Sequence, residues 1–256
     1  MANKLVGTEK PLVQLCQEKY YGGWVDKSQK LASCTLNAAK FLSDYTIFGL
    51  QEIHGNYRMA LQEAIQASTS TADFGFLTAK YFGNWFVVIG YDRKITGPAI
   101  DLYQGLLIAH DATGKSNPDQ RAIQVVYFPK IKLIVVNLHV AHRIDLKGVI
   151  EKTLSQVKLP PDVDRTKVKI VMMGDFNDEA GTLLKSSITI FGQRLTIPDG
   201  KRVLACCTDS NYRFPGDYIM LSDNLLPVSD YGFPSGYKRH QPLMSDHDPV
   251  VVTINL

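Results

Sequence analysis

The stretch of residues 169–178, KIVMMGDFND, constrains the fold of this chain more than any other. Its apolar residues run without interruption into Gly174, and a polar cluster follows at once. An unbroken apolar run is typical of a strand buried on both faces, and the glycine with its polar neighbours marks the end of that strand. We therefore expect a central strand that places Asp175 and Asn177 at the rim of a buried sheet, where a rigid scaffold holds reactive groups. An ordinary strand-to-loop turn has the same composition, so this stretch alone leaves both interpretations open.

The composition predicts one globular domain spanning residues 1–256. The chain is 45% hydrophobic and contains no repeat, low-complexity segment or linker that would divide it. A net charge of +3 permits nucleic acid or anionic lipid as a partner without indicating either.

Cysteine usage and the absence of targeting signals predict an intracellular protein, cytoplasmic or nuclear. The four cysteines form neither a disulfide framework nor a spaced metal-binding pattern. The amino terminus lacks the apolar segment of a signal peptide, and no apolar stretch is long enough to span a bilayer. We expect a monomer without a membrane partner.

Hydrophobic periodicity predicts many strands with a few interspersed helices, which favours an α+β fold of two packed sheets flanked by helices. Strands are predicted at 11–17, 45–52, 84–90, 105–110, 121–128, 131–139, 169–174, 202–207, 216–221 and 249–256, and helices at 28–43, 57–67, 145–157 and 179–189.

Five predicted strands carry acids, amides or histidines at one end. Each such residue alone has an ordinary explanation as a solvated side chain, a structural histidine or a turn. Their repeated position beside strongly apolar strands indicates a common site, formed by Glu52, His139, Asp175 with Asn177, Asp217, and Asp246 with His247 and Asp248.

The residue types at these ends favour metal-dependent chemistry on phosphate. Glu52 and Asp246 are hard oxygen ligands suited to Mg²⁺ or Mn²⁺, whereas the Cys/His spacing of zinc sites is absent. A divalent ion beside acids and histidines suits the hydrolysis of a phosphate ester. We interpret His247 and Asp217 as a hydrogen-bonded pair, in which the carboxylate fixes the tautomer of the imidazole.

The order and spacing of five motifs resemble the endonuclease/exonuclease/phosphatase superfamily, whose members include deoxyribonuclease I-like and apurinic-site endonuclease-like proteins. The resemblance extends from about residue 11 to the end of the chain, and each motif alone is weak evidence. The motifs are GLQE at 49–52, NLH at 137–139, GDFN at 174–177, GDYI with LS at 216–222, and SDHDPV at 245–250. This resemblance implies a four-layer αββα sandwich with its site at one end of the two sheets.

The resemblance also implies a role for each site residue. Glu52 and Asp246 would hold the metal ion, and Asp175 would orient or deprotonate the attacking water. The remaining roles are less specific: Asn177 would steady the water and the phosphate, His247 paired with Asp217 would act as base or phosphate ligand, and His139 would bind the phosphate or assist the leaving group.

One motif departs from the family pattern. Its first strand usually ends in an aromatic-Asn pair whose Asn helps to hold the metal, whereas Cys16 or Gln17 occupies that place here. The Gln amide also offers an oxygen, so weakened metal binding is one expectation and a binding protein without turnover is the other.

The leading functional hypothesis is a nuclease or a phosphodiesterase that processes nucleic-acid ends. Basic and aromatic residues near the motifs are expected to hold phosphates and stack bases, namely Arg143, Tyr212 and Arg213, with Tyr57 and Arg58 after the Glu52 motif. The alternative is a phosphomonoesterase acting on phosphoinositides or nucleotides. Because Asp178 and Glu179 follow the GDFN motif where the phosphoinositide branch has an aromatic residue and Arg, that branch is disfavoured.

Overall fold

The computed structural model describes residues 27–81, 83–107, 121–141, 145–178, 180–205, 215–226, 228–235, 247 and 249–255, with the backbone alone at 27–34, 54 and 56. Its α-helices are α1 (Lys27–Leu42), α2 (Gly55–Ala67), α3 (Arg93–Thr96) and α4 (Leu146–Leu154). Its strands are β1 (Ile47–His54), β2 (Phe74–Lys80), β3 (Trp85–Asp92), β4 (Ile100–Leu107), β5 (Arg121–Phe128), β6 (Leu133–His139), β7 (Lys169–Asp175), β8 (Ile188–Ile190), β9 (Gln193–Thr196), β10 (Asp217–Ser222), β11 (Ser229–Gly232) and β12 (Val251–Thr253).

The larger sheet has seven strands in the order β4-β5-β6-β7-β10-β9-β8. β6 and β7 run parallel at its centre, and the other neighbours pair antiparallel. A parallel pair requires a crossover connection, which here contains α4. All residues of β6, and all of β7 after Lys169, are buried. The unbroken apolar runs of the sequence therefore form the central strands, as predicted.

The smaller sheet, β1-β3-β2, packs one face against the larger sheet. Gly49 of β1 lies at this interface. A Cβ atom at Gly49 would lie 2.8 Å from Asn137 Oδ1 and 3.0 Å from Met173 Sδ, so the absence of a side chain permits the close approach of the sheets.

Helices cover the outer faces of both sheets. Phe48 and Leu50 of β1 alternate with Gly49, and they pack on the other face against Leu42 of α1 and Leu61 of α2. On the far side of the larger sheet, α4 contacts both of its edge strands, β4 and β8, so this sheet curves around the helix. The result is the predicted αββα sandwich, with β11 and β12 forming a further two-stranded sheet.

Two local predictions are wrong, and one lies outside the described residues. The helix predicted at 179–189 is replaced by a 3₁₀ turn, Thr182–Lys185, followed by β8. The described part of the strand predicted at 202–207 has no regular structure, and β9 precedes it. Strands of three or four residues are too short to produce a clear periodic pattern, which explains why the β8–β9 hairpin was missed. The strand predicted at 11–17 lies outside the described residues.

None of the described helices has the length and apolar character needed to cross a membrane.

Candidate functional site

Three neighbouring strands of the larger sheet place one predicted site residue each at the same edge. His139 ends β6 and pairs with Asp175 at the end of the parallel strand β7. Asp175 in turn pairs with Asp217 at the start of the antiparallel strand β10. Because directly paired residues point to the same face of a sheet, the three side chains form a row facing the smaller sheet. We call His139, Asp175 and Asp217 the rim row.

Gly174 makes this row possible. Its φ of 147° lies outside the range that other residues readily adopt, and a Cβ atom there would lie 1.9 Å from the carbonyl oxygen of Leu138. After Asp175 the chain turns sharply: Phe176 is fully buried against Tyr218, and Asn177 adopts a left-handed conformation with a φ of 48°. The backbone conformation that positions Asp175 therefore depends on Gly174, Phe176 and Asn177 of the GDFN motif.

Asp217 and His247 form the closest polar contact of the site. His247 Nδ1 lies 2.6 Å from Asp217 Oδ2, and both residues are buried. Since an ionised carboxylate can only accept, the Nδ1 atom donates and the Nε2 atom of the neutral ring carries the lone pair. The pairing predicted from the sequence is therefore present.

Glu52 reaches the rim row from the smaller sheet. It lies in an irregular part of β1, between Leu50 and Ile53, and has a left-handed φ of 52°. A left-handed conformation costs a residue with a side chain about 1 kcal/mol or more, and such strain is often found at functional sites. The Glu52 carboxylate is buried, and its Oε1 atom lies 3.6 Å from His139 Nδ1.

His139 is fully buried between two carboxylates and one amide. Its Nε2 atom lies 3.7 Å from Asp175 Oδ2 and 3.3 Å from Asn177 Nδ2. Asn177 also donates from Nδ2 to the carbonyl of Val140 at 2.6 Å, and its backbone N–H donates to Asp175 Oδ1 at 2.9 Å. Asn177 thus connects Asp175 with His139, and the distances of 3.6 and 3.7 Å to the carboxylates are those of ion pairs rather than hydrogen bonds.

Two residues at the site were missed in the sequence. Arg121, the first residue of β5, places Nη1 3.4 Å from Glu52 Oε1. Tyr81 follows β2, and its ring meets that of His139 edge to face, with 6.1 Å between the centroids. The β5–β6 hairpin would have indicated Arg121, because its register brings the start of β5 beside His139.

The charges of this cluster suit a cation. Glu52, Asp175 and Asp217 contribute three buried carboxylates, which face the Arg121 guanidinium and the imidazoles within the described part of the chain. One ligand atom from each of Asp175, Asp217 and His247 lies within 4.8 Å of the others. Buried carboxylates in excess of positive charge are stabilised by a bound cation, and oxygen-rich donors suit Mg²⁺ or Mn²⁺.

Asp178 belongs to the structure of the turn rather than to the cluster. It accepts hydrogen bonds from the backbone of Thr182 and Leu183, from the Thr182 hydroxyl and from the Tyr218 hydroxyl, at 2.8 to 3.1 Å. Burial raises the pKa of Tyr218, and the negative charge of Asp178 raises it further, so this phenol remains a donor. These contacts fix the chain that follows the GDFN motif.

The structure thus brings together six of the predicted site residues: Glu52, His139, Asp175, Asn177, Asp217 and His247. The others, Asp246, Arg143, Tyr212 and Arg213, together with Cys16 and Gln17, lie outside the described residues. The prediction for Tyr57 and Arg58 is not supported by their surroundings. Tyr57 is buried in the core of the smaller sheet, and Arg58 stacks 4.5 Å from the centroid of Phe86 while donating to Thr78.

No protein-family model matches this sequence, and no curated protein matches it either. Solved structures do match. An endonuclease/exonuclease/phosphatase family protein from Leptotrichia buccalis has a TM-score of 0.58 and 15% identity, covering 91% of this chain and 96% of that protein.

Two further matches are named for more specific proteins. The mannosyl-6-phosphatase of Bacteroides thetaiotaomicron has a TM-score of 0.57 and 15% identity, covering 93% of this chain and 97% of that protein. D. rerio TDP2, solved with a single-strand DNA product, has a TM-score of 0.53 and 18% identity, with coverage of 88% and 93%. At these identities the likeness concerns the fold. The chain therefore has the fold of the endonuclease/exonuclease/phosphatase superfamily, as its sequence motifs predicted.

Proposed function

We propose that this protein hydrolyses phosphate esters and that its substrate is a nucleic-acid phosphodiester. The observation that carries the proposal is the rim row, with its Asp217–His247 pair and with Glu52 brought from the opposite sheet. Carboxylates, imidazoles and an amide at one buried edge are the groups that bind a phosphate, orient water and transfer its proton.

In the proposed mechanism Asp175 acts on the water. The Asn177 N–H holds its Oδ1 atom in place, and the carboxylate accepts the proton as water attacks phosphorus. The bond between phosphorus and the leaving oxygen breaks, and that oxygen takes a proton from solvent water. His139 lies beside Asp175 Oδ2 and so assists the phosphate or the leaving group.

His247 would contact the phosphate through Nε2, because Asp217 holds the other ring nitrogen. A divalent ion, Mg²⁺ or Mn²⁺, would be held by Glu52 together with Asp246 and would neutralise negative charge on the phosphate oxygens. Within the described residues, the excess of buried carboxylates over basic groups supports a cation at this place.

Nucleic acid is favoured as substrate by the shared fold with D. rerio TDP2, which was solved with a single-strand DNA product. In this proposal Arg143, Tyr212 and Arg213 contact the polymer through its phosphates and bases. A phosphomonoester is the second candidate, because the mannosyl-6-phosphatase of B. thetaiotaomicron shares the fold to a similar extent.

A substrate panel tests the proposal. Labelled duplex DNA, single-stranded DNA, an abasic-site duplex, RNA, a phosphoinositide and a sugar phosphate are incubated with the protein and Mg²⁺ or Mn²⁺. We expect cleavage of a nucleic acid that Asp175→Asn and His247→Ala abolish. The control is Asp223→Asn, which alters an exposed ion pair with Arg194 just after β10.

Each other outcome overturns part of the proposal. If the protein releases phosphate from a monoester and cleaves no nucleic acid, it is a phosphatase and the nucleic-acid assignment is wrong. If the folded protein hydrolyses none of the substrates, the proposed hydrolytic activity is wrong. That result would favour a protein that binds phosphate esters without turnover.

A further inference from the structure

We propose that Tyr81 is a substrate-binding residue of this site, and that its hydroxyl donates a hydrogen bond to a phosphate oxygen of the substrate. The proposal rests on the proposed function and adds a neutral donor to it. Tyr81 lies outside all five sequence motifs.

The β2–β3 connection holds Tyr81 at the site. Its backbone N–H donates to the carbonyl of Trp85 at 3.0 Å, which continues the antiparallel pairing of β2 with β3 beyond Lys80. The side chain is 8% exposed and packs in a small cluster with Val87 and Ala122. Tyr81 is therefore a rigid part of the inter-sheet core.

The ring of Tyr81 is directed at the rim row. It meets the His139 ring at an interplanar angle of 90°, the edge-to-face arrangement that aromatic pairs prefer. Ala122, with which it packs, lies on β5 next to Ile123, the partner of Leu138, and thus beside His139. The ring consequently limits how the imidazole can turn.

Among the described residues the hydroxyl of Tyr81 makes no hydrogen bond of normal geometry, and its nearest basic neighbour is the Arg121 guanidinium, which interacts with it only weakly. Leaving a buried hydroxyl in this state costs stability, and nearly all buried polar groups avoid it. The exceptions are often groups whose partner is a ligand. Tyr81 is such an exception, and its ring lies against His139 of the rim row.

The electrostatic surroundings keep this hydroxyl protonated. Burial raises the pKa of the Tyr81 phenol above its usual range, and the negative charges of Glu52 and Asp175 add to that effect, while Arg121 opposes it. A phenol that stays neutral can donate but brings no charge of its own. A phosphate oxygen is the acceptor that matches it, because hydrogen bonds to charged oxygens are stronger than those to neutral ones.

The test is Tyr81→Phe, which keeps the ring and removes the hydroxyl. Because no hydrogen bond of normal geometry holds the hydroxyl in the described structure, we expect an unchanged or higher melting temperature. The affinity for inorganic phosphate, measured by calorimetry in the presence of Mg²⁺, should fall about 10- to 100-fold, and kcat/KM on the substrate found in the panel should fall by a similar factor.

Tyr91→Phe is the matched control. Tyr91 is equally buried and lies on β3 opposite Gly75, six residues before Tyr81 and hence about 20 Å from it along the strands. Its substitution should change neither phosphate affinity nor kcat/KM.

Two results would overturn the assignment of Tyr81 while leaving the proposed function intact. One is wild-type phosphate affinity and kcat/KM in Tyr81→Phe. The other is a lower melting temperature with unchanged kcat/KM, which would show that the hydroxyl bonds to the protein or to a structural water. If the wild type hydrolyses no substrate but Tyr81→Phe still weakens phosphate binding, the function fails and the Tyr81 assignment stands. A wild type that neither binds phosphate nor hydrolyses any substrate overturns both.

Discussion

Asn137 and the rim row lie on the same face of the seven-stranded sheet, and they are bonded in different ways. The rim row ends the strands, and two residues earlier β6 carries Asn137, which pairs with Gln124 of β5 and Met173 of β7. Asn137 accepts from Gln51 at 2.6 Å and donates to the carbonyls of Leu50 and Val88 at 3.2 and 3.0 Å. It therefore ties the two sheets together.

The rim row is bonded differently. Ion-pair distances of 3.6 and 3.7 Å separate His139 from its two carboxylate neighbours, and Asp217 contacts His247 at 2.6 Å. Buried polar groups with complete hydrogen bonds stabilise a fold, whereas several buried carboxylates gathered at one edge repel each other and cost stability. The difference indicates that Asn137 is kept for structure and the rim row for function.

The largest expected effect is a loss of hydrolysis rate when the Asp217–His247 pair is broken. Asp217→Asn and His247→Ala should each lower the hydrolysis rate about 10³-fold, and the double variant should be no slower, because residues that act as a unit are not additive. Rates of the three variants on the substrate identified in the panel provide the measurement. If the rate losses of the two single variants add fully in the double variant, Asp217 and His247 do not act as one unit despite their 2.6 Å contact.

The next effect concerns Asn137. Asn137→Leu should reduce the free energy of unfolding by about 3 kcal/mol, because it leaves the Gln51 amide and two backbone carbonyls without their partner. Gln124→Leu is the matched control on the paired strand. Its side chain is fully buried and neither amide atom has a partner among the described residues, so this change should be neutral or stabilising. Urea denaturation measures both, and equal losses would contradict the comparison.

The smallest expected effect lies within the turn that follows β7. Asp178→Asn keeps the shape of the side chain but replaces one acceptor oxygen by an amide NH₂ group. That group would face N–H and O–H groups that also donate, so some of these hydrogen bonds would be lost. We expect a loss of about 1–2 kcal/mol in the free energy of unfolding, with the hydrolysis rate per folded molecule unchanged. A large loss of rate at full stability would instead assign Asp178 to the catalytic residues.

The rim row could be predicted from the sequence because each of its members follows or begins a continuous apolar run. Such runs become central strands, and their ends meet at one edge of the sheet. The pairing of Asp217 with His247 was also accessible, since a carboxylate is the usual partner of a histidine at a site of this kind.

Residues outside such runs could not be found in this way. Tyr81 follows β2, whose sequence FGFLTAK mixes buried and half-buried positions and gives no clear periodic signal. Arg121 contacts Glu52 across 69 positions of sequence, and only the register of the β5–β6 hairpin would have indicated it. Gln124 and Asn137 are polar residues in otherwise apolar strands, and nothing in the sequence tells which of the two amides is hydrogen-bonded.

The central claim is that the rim row is arranged for chemistry at a cost in stability, and Asp175→Asn tests it most directly. One preparation of this variant is measured for both its free energy of unfolding and its hydrolysis rate. We predict a rate at least about 10³-fold lower and a free energy of unfolding that is unchanged or higher, since one of three buried carboxylates is neutralised while the acceptor for Asn177 N–H remains. A destabilised variant that hydrolyses its substrate at the wild-type rate would contradict the claim.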